Sequence, residues 1–255
     1  MNKKKSLVKI ALLSFIVFSI IGGIVTTIFL TTNRPLHSIY EKRAIIFQAN
    51  LFPDYALEPD LFTDHLLWQQ ALQAKNYSVS TYYYSFQQIE QKDPLMILEQ
   101  EAHQSKRLIV IFNCHGGFDP NDGNFYLDLD QSYSSQELLG PLAEAHELFI
   151  YASACQSGYF LDCLEVIPRD WIYVSVCNQS ATNGLTEIGD SWVRIWHPLT
   201  ETFITAFSSS GTIEEAYWDH LTLFSENKWF HYYEDEFPIN APVLRDGDGQ
   251  HNWEA

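Results

Sequence analysis

Two apolar runs of strand length, Leu108–Asn113 and Leu148–Ser153, each end in a short reactive signature. The first reads LIVIFN and stops at Cys-His-Gly-Gly; the second reads LFIYAS and stops at Ala-Cys-Gln-Ser-Gly. Continuous apolar runs are what strands covered on both faces look like, and such strands belong to parallel sheets. The carboxyl ends of parallel strands share one edge, where open α/β sheets keep their sites. His115 and Cys155, 40 residues apart, are therefore expected at one edge as a Cys–His dyad. A thiol attacks as the thiolate, and an imidazole beside it can take the proton and return it to a leaving group. The backbone N–H groups of Gly116 and Cys155 can hold the developing oxyanion. The residues after the thiol, Gln-Ser-Gly-Tyr-Phe, can open a helix whose N-terminus would lower the thiol's pKa.

The rest of the chain alternates strand and helix patterns, which implies a mainly parallel sheet with right-handed crossovers. Strands are expected at Lys42–Asn50, Tyr77–Tyr84, Arg107–Asn113, Glu147–Ser153 and Trp171–Cys177. Helices are expected over Asp60–Asn76, from Asp93-Pro94 to Gln104, from Ser134-Ser135 through Ala145, and over Asp190–Ser208 and Thr212–Asn227. Phe118–Asp130, with Pro and Asn-Asp-Gly, should turn into a short hairpin or an extended segment. Residues 229–255 read as an irregular, aromatic and acidic tail.

Charge narrows the partners. Four of the 15 basic residues precede the first apolar run, so the remainder sets 11 against 32 acids. Such a domain repels nucleic acid and anionic membrane surfaces and favours cationic substrates. Residues 1–30 read as an uncleaved signal anchor: Lys3, Lys4, Lys5 and Lys9 flank Ile10–Leu30, 21 residues against the ~20 that span a bilayer. A cleaved signal is the alternative. Residues 31–42 would be a tether, with the domain over 43–228 outside the cytoplasm. The four cysteines (Cys114, Cys155, Cys163, Cys177) fit no zinc spacing, and a reduced nucleophile leaves an odd number, so neither a metal site nor a disulfide framework is expected.

His115-Gly116 followed by Ala154-Cys155-Gln156-Ser157-Gly158 resembles the caspase-like superfamily of cysteine peptidases. Its A-C-x-S-G form is most similar to the legumain family, which includes the GPI-anchor transamidase catalytic subunit. The resemblance spans Ala44 to Trp196. It implies a three-layer α/β fold, a mainly parallel sheet flanked by helices, and acyl transfer at a peptide bond without a cofactor. A peptide or protein would be the substrate. It also implies an orienting residue for the imidazole in the loop after the first strand, where QANLFPDY offers Asp54, with Asn50 as a second candidate; both also suit an ordinary turn.

The Asn-specific pocket of legumains is not reproduced. Its Asp matches Asp190, its Arg falls on Ala56, and its Glu, two before the Cys, falls on Ser153. An acid without its balancing Arg favours a basic or small polar residue at P1, unless Asp190 merely caps the next helix. The same dyad also serves a transamidase, and a non-catalytic relative would be a membrane-anchored binding module.

Other signals are weaker. Arg245–Gly249 lacks the acids a calcium loop needs at 244 and 255 and reads as a turn. ACQSG lacks the first Gly of the α/β-hydrolase elbow. A fluorogenic peptide panel is expected to show turnover after Lys, Arg or small polar residues; preference for Asn or Asp would remove the basic-P1 expectation.

Overall fold

A computed structural model describes residues 40–50, 64–85, 92–160, 170–175, 185–188, 191–194, 196–226 and 243–246. The expected anchor and residues 31–39 of the tether lie outside these residues. Among the described residues no helix is long and apolar enough to cross a membrane.

The central sheet has six strands: β1 (Tyr40–Asn50), β2 (Ser78–Ser85), β3 (Ser105–Asn113), β7 (Glu147–Ser153), β8 (Asp170–Ser175) and β11 (Val243–Asp246). Their spatial order is β11-β8-β7-β3-β1-β2, parallel throughout except for β11, which runs antiparallel to β8. Alternation sends successive side chains to opposite faces. Ile45, Phe47, Leu108, Val110, Phe112, Leu148 and Ile150 pack on one face, against Ile97 and Leu98 of α2 (Pro94–Gln104) and Leu138 and Leu139 of α3 (Ser135–Leu139). Ala44, Ile46, Ile109, Ile111, Phe149 and Tyr151 pack on the other. They meet Trp68 and Leu72 of α1 (Asp64–Ala74), Phe203 and Phe207 of α4 (Trp196–Ser209), and Ile213 and Ala216 of α5 (Ile213–Glu226). The result is the expected three-layer α/β arrangement. Each fully buried Phe or Ile in it contributes about 1.5–3 kcal/mol.

Local signals work where their chemistry is short-range. The Asp93 side chain accepts the Leu95 N–H and Pro94 opens α2. Ser134 and Glu137 form a reciprocal capping box at α3. A buried ion pair joins the layers: Arg43 Nη2 and Nε donate to Glu101 Oε1 and Oε2 at 2.6 and 2.7 Å, tying β1 to α2.

Four expectations are corrected. The helix expected through Ala145 stops at Leu139, because Pro141 brings no N–H; the chain continues as a 3-10 turn over Pro141–Glu144. The helix expected from Asp190 begins at Trp196. Ser191–Arg194 is instead strand β10, antiparallel to β9 (Leu185–Ile188), and the Gly189-Asp190 dipeptide between them is a hairpin signal. The tail is not wholly irregular, since Val243–Asp246 is a sheet strand, and it includes Arg245 and Asp246 of the supposed turn. The domain also starts earlier than 43, because β1 pairs from Tyr40 onward.

On α5, His220 is buried, with Nδ1 2.8 Å from Thr202 Oγ1. The Thr202 hydroxyl also lies 3.0 Å from the Leu199 carbonyl oxygen. Burial lowers the His220 pKa to about 3. Below the unfolded value of about 6.5 the unfolded chain binds a proton that the native state refuses, so stability falls as pH drops. Urea titrations should show this residue removing about 2 kcal/mol between pH 6.5 and pH 5, and His220→Asn should lose that share of the slope. An unchanged slope in the variant would contradict the assignment.

Candidate active site

The register of the sheet aligns the chemistry-bearing residues. Every pair between β3 and β7 is offset by the same amount, from Arg107 opposite Glu147 to Asn113 opposite Ser153. The β1–β3 register pairs Gln48 with Asn113, so Gln48, Asn113 and Ser153 form the last common row of the three strands. Asn50, His115 and Cys155 each come two residues after that row, at the carboxyl edge of the sheet. Two bonds keep the row in step: the Asn113 Nδ2 donates to Gln48 Oε1 at 2.7 Å, and the Cys114 N–H donates to the Ser153 carbonyl at 3.3 Å. Gln48 and Asn113 are both buried, so this amide pair is shielded from water.

After Cys114 the chain leaves the main sheet. His115–Asp119 forms β4, which pairs antiparallel with β5 (Asn124–Asp128); β5 in turn pairs with β6 (Ser132–Ser134). The expected hairpin is therefore present and begins at His115 itself. Glycine is needed at 116. A Cβ there would come within 2.9 Å of Leu127 Cδ2 and Phe125 Cζ and 3.0 Å of the Tyr126 carbonyl oxygen. The Phe118 N–H donates to Gln156 Oε1 at 2.9 Å and not to β5. N–H groups two apart on an extended strand share an edge, so the Gly116 N–H points to the same side, toward the Cys155 turn.

The Cys155 side is a tight turn. Gln156 has a positive φ of 52°, and its carbonyl accepts the Tyr159 N–H at 3.0 Å. Residues 157–160 form a 3-10 turn. Ser157 is buried, and its carbonyl accepts the Tyr173 hydroxyl of β8 at 2.5 Å. The Phe118 and Tyr159 rings stack with centroids 4.1 Å apart, across the same gap that Gln156 bridges.

The two thiols differ in environment. Cys114 is buried, and burial, with lesser effects from Asp128 and Cys155, pushes its thiol well above the usual range; it stays protonated. Cys155 is half-buried, as is His115. Ser153, expected to touch substrate, is instead buried, with Oγ 3.4 Å from Thr200 Oγ1 of α4. Asp54 and Asp190 lie outside the described residues, as do Cys163 and Cys177. Among the described residues no cluster of His, Cys, Asp and Glu could hold a metal ion. A cleft lined by Glu41, Lys42, Lys106, Arg107 and Glu147 opens at the opposite, amino-terminal edge, where Lys106–Glu41 and Arg107–Glu147 pair.

No protein-family model matches the chain, and no curated protein sequence does. Solved structures match by fold. Caspase-1 from Spodoptera frugiperda superposes with a TM-score of 0.50 at 17% identity, over 84% of this chain and 90% of that one. The Drosophila initiator caspase Dronc gives 0.56 at 7% identity, over 85% and 83%. Protein GSU0716 from Geobacter sulfurreducens gives 0.54 at 9% identity, over 81% and 93%. The fold is caspase-like. Identities this low carry the fold alone, and the chemistry rests on the residues at the sheet edge.

Iodoacetamide should alkylate Cys155 and spare Cys114 in the folded protein, as read by peptide mass mapping. Equal labelling of Cys114 would contradict the burial that separates them.

Proposed function

We propose that the chain is a caspase-like cysteine endopeptidase of the legumain type. The observation that supports it is the shared last row of β1, β3 and β7 (Gln48, Asn113 and Ser153), two residues before Asn50, His115 and Cys155, with Gln156 joining the Cys155 turn to β4. His115 takes the Cys155 proton, and the thiolate adds to the scissile carbonyl carbon. The carbonyl's π pair moves onto oxygen, which the Gly116 and Cys155 N–H groups receive. Collapse breaks the C–N bond, and the imidazolium gives its proton to the departing amine. Water, deprotonated by His115, then opens the thioester and restores the thiol. Asp54, with Asn50 as the second candidate, would orient the imidazole by accepting its N–H.

An amine in place of water would make the same residues a transamidase. The pocket acid in this reading is Asp190, suited to a basic or small polar P1 side chain. The acidic balance of the chain supports a cationic substrate. The anchor over residues 1–30 would hold the domain on the outer side of a membrane.

A peptidyl acyloxymethyl ketone tests the dyad. Labelling of the purified domain should vanish in Cys155→Ala and fall about 100-fold or more in His115→Ala. Undiminished labelling in both would leave a binding module on a caspase-like fold. Product analysis with added glycinamide separates hydrolysis from transamidation.

A further inference from the structure

Gln156 follows the proposed nucleophile and has two features that a bystander would lack. Its backbone has a positive φ of 52°, in the left-handed region that side chains other than Gly and Asn occupy at a cost. Its Oε1 reaches across to the Phe118 N–H of β4, the strand that starts with His115. The turn itself is anchored from behind. The Gln156 carbonyl takes the Tyr159 N–H, Tyr173 holds the Ser157 carbonyl, and Tyr159 stacks on Phe118. The Gln156 side chain hydrogen-bonds from this turn to the edge of β4 at Phe118. The β5 side of β4 is fixed independently, because Gly116 is wedged against Leu127 and Phe125.

We infer that Gln156 is a positioning residue that sets the spacing between the Cys155 thiol and the oxyanion donor Gly116. It touches neither substrate nor reacting atoms. The left-handed turn aims its side chain, and one acceptor oxygen spans the gap from the nucleophile's turn to the strand of the base. It also occupies the Phe118 N–H, leaving the Gly116 N–H as the one for a substrate oxygen. The inference rests on the peptidase reading above. It goes beyond it by giving a role to a residue that neither attacks, nor transfers a proton, nor selects the substrate.

Two reactions separate this role from a merely structural one. Alkylation by iodoacetamide needs only the thiolate, whereas affinity for a peptidyl aldehyde also needs the oxyanion donors in place. Gln156→Glu keeps the reach and an acceptor oxygen. Gln156→Asn keeps tolerance of the left-handed backbone but is one methylene short. Gln156→Gly relieves the backbone and removes the acceptor.

The expected result is that Asn and Gly variants lose about 100-fold in kcat/KM, mostly in kcat, and bind the aldehyde correspondingly more weakly. Their alkylation at Cys155 should stay within about threefold of the parent, and the Glu variant should keep most of the activity. Full activity in Gln156→Asn and Gln156→Gly, while Cys155→Ala is dead, would overturn the inference and leave the peptidase reading intact. Activity that survives Cys155→Ala would sink the reading itself. Parallel losses of alkylation, aldehyde affinity and thermal stability in all three variants would show a structural role only.

Discussion

The parallel ladder between β3 and β7 is the constraint on which the rest depends. It holds two segments far apart in sequence in fixed register, and the reactive residues inherit that register. A slip of one residue would displace His115 along the strand by about 3.3 Å and set Val110, Phe112 and Ile150 under the opposite helical layer. Both layers are close-packed, and the misfit of each such side chain costs about 1–3 kcal/mol. The buried amide pair between Asn113 and Gln48 adds a directional bond at the carboxyl end, where the ladder stops and the apolar patterning no longer specifies alignment.

Beyond that end, control passes from the main sheet to smaller devices. Gly116 lets β4 approach Phe125 and Leu127 closely. The Cys155 turn is held by Tyr173 from the sheet and by Tyr159 from its own 3-10 segment. Cys114, between β3 and His115, is packed into the core and kept protonated by burial. The two thiols are near enough to interact, and of the two Cys114 is the one that burial keeps protonated.

Much of this was legible in the sequence. Continuous apolar runs such as Leu108–Phe112 and Leu148–Ala152 could only be strands covered on both faces, and their ends marked the site. The hairpin expected over Phe118–Asp130 and the Asp93 and Ser134 caps followed from local chemistry, and the three-layer architecture was what the caspase-like resemblance implied. What escaped was set by neighbours in space. The Ser191–Arg194 segment, too short for its alternation to outweigh the helix that follows, is a strand because Leu185–Ile188 pairs with it. Val243–Asp246 sits in an acidic, aromatic stretch and is a strand because β8 offers it an edge. Ser153 lies two residues from the thiol yet points into the layer of α4, a consequence of strand alternation that the motif alone concealed. Gln156 gave no cue, because glutamine is not a residue that announces a left-handed turn.

The antiparallel strand at the end of the sheet order bears on how the molecule is made. Strands β1, β2, β3, β7 and β8 are synthesised in turn, and each finds its partner among those already present, but β8 keeps one edge open until residues 243–246 emerge. Throughout that interval the nascent domain exposes a row of unsatisfied N–H and C=O groups beside its core, the kind of edge on which foreign strands dock. A chain stalled before residue 243 would carry five paired strands of the sheet and an unprotected flank at β8 at the same time.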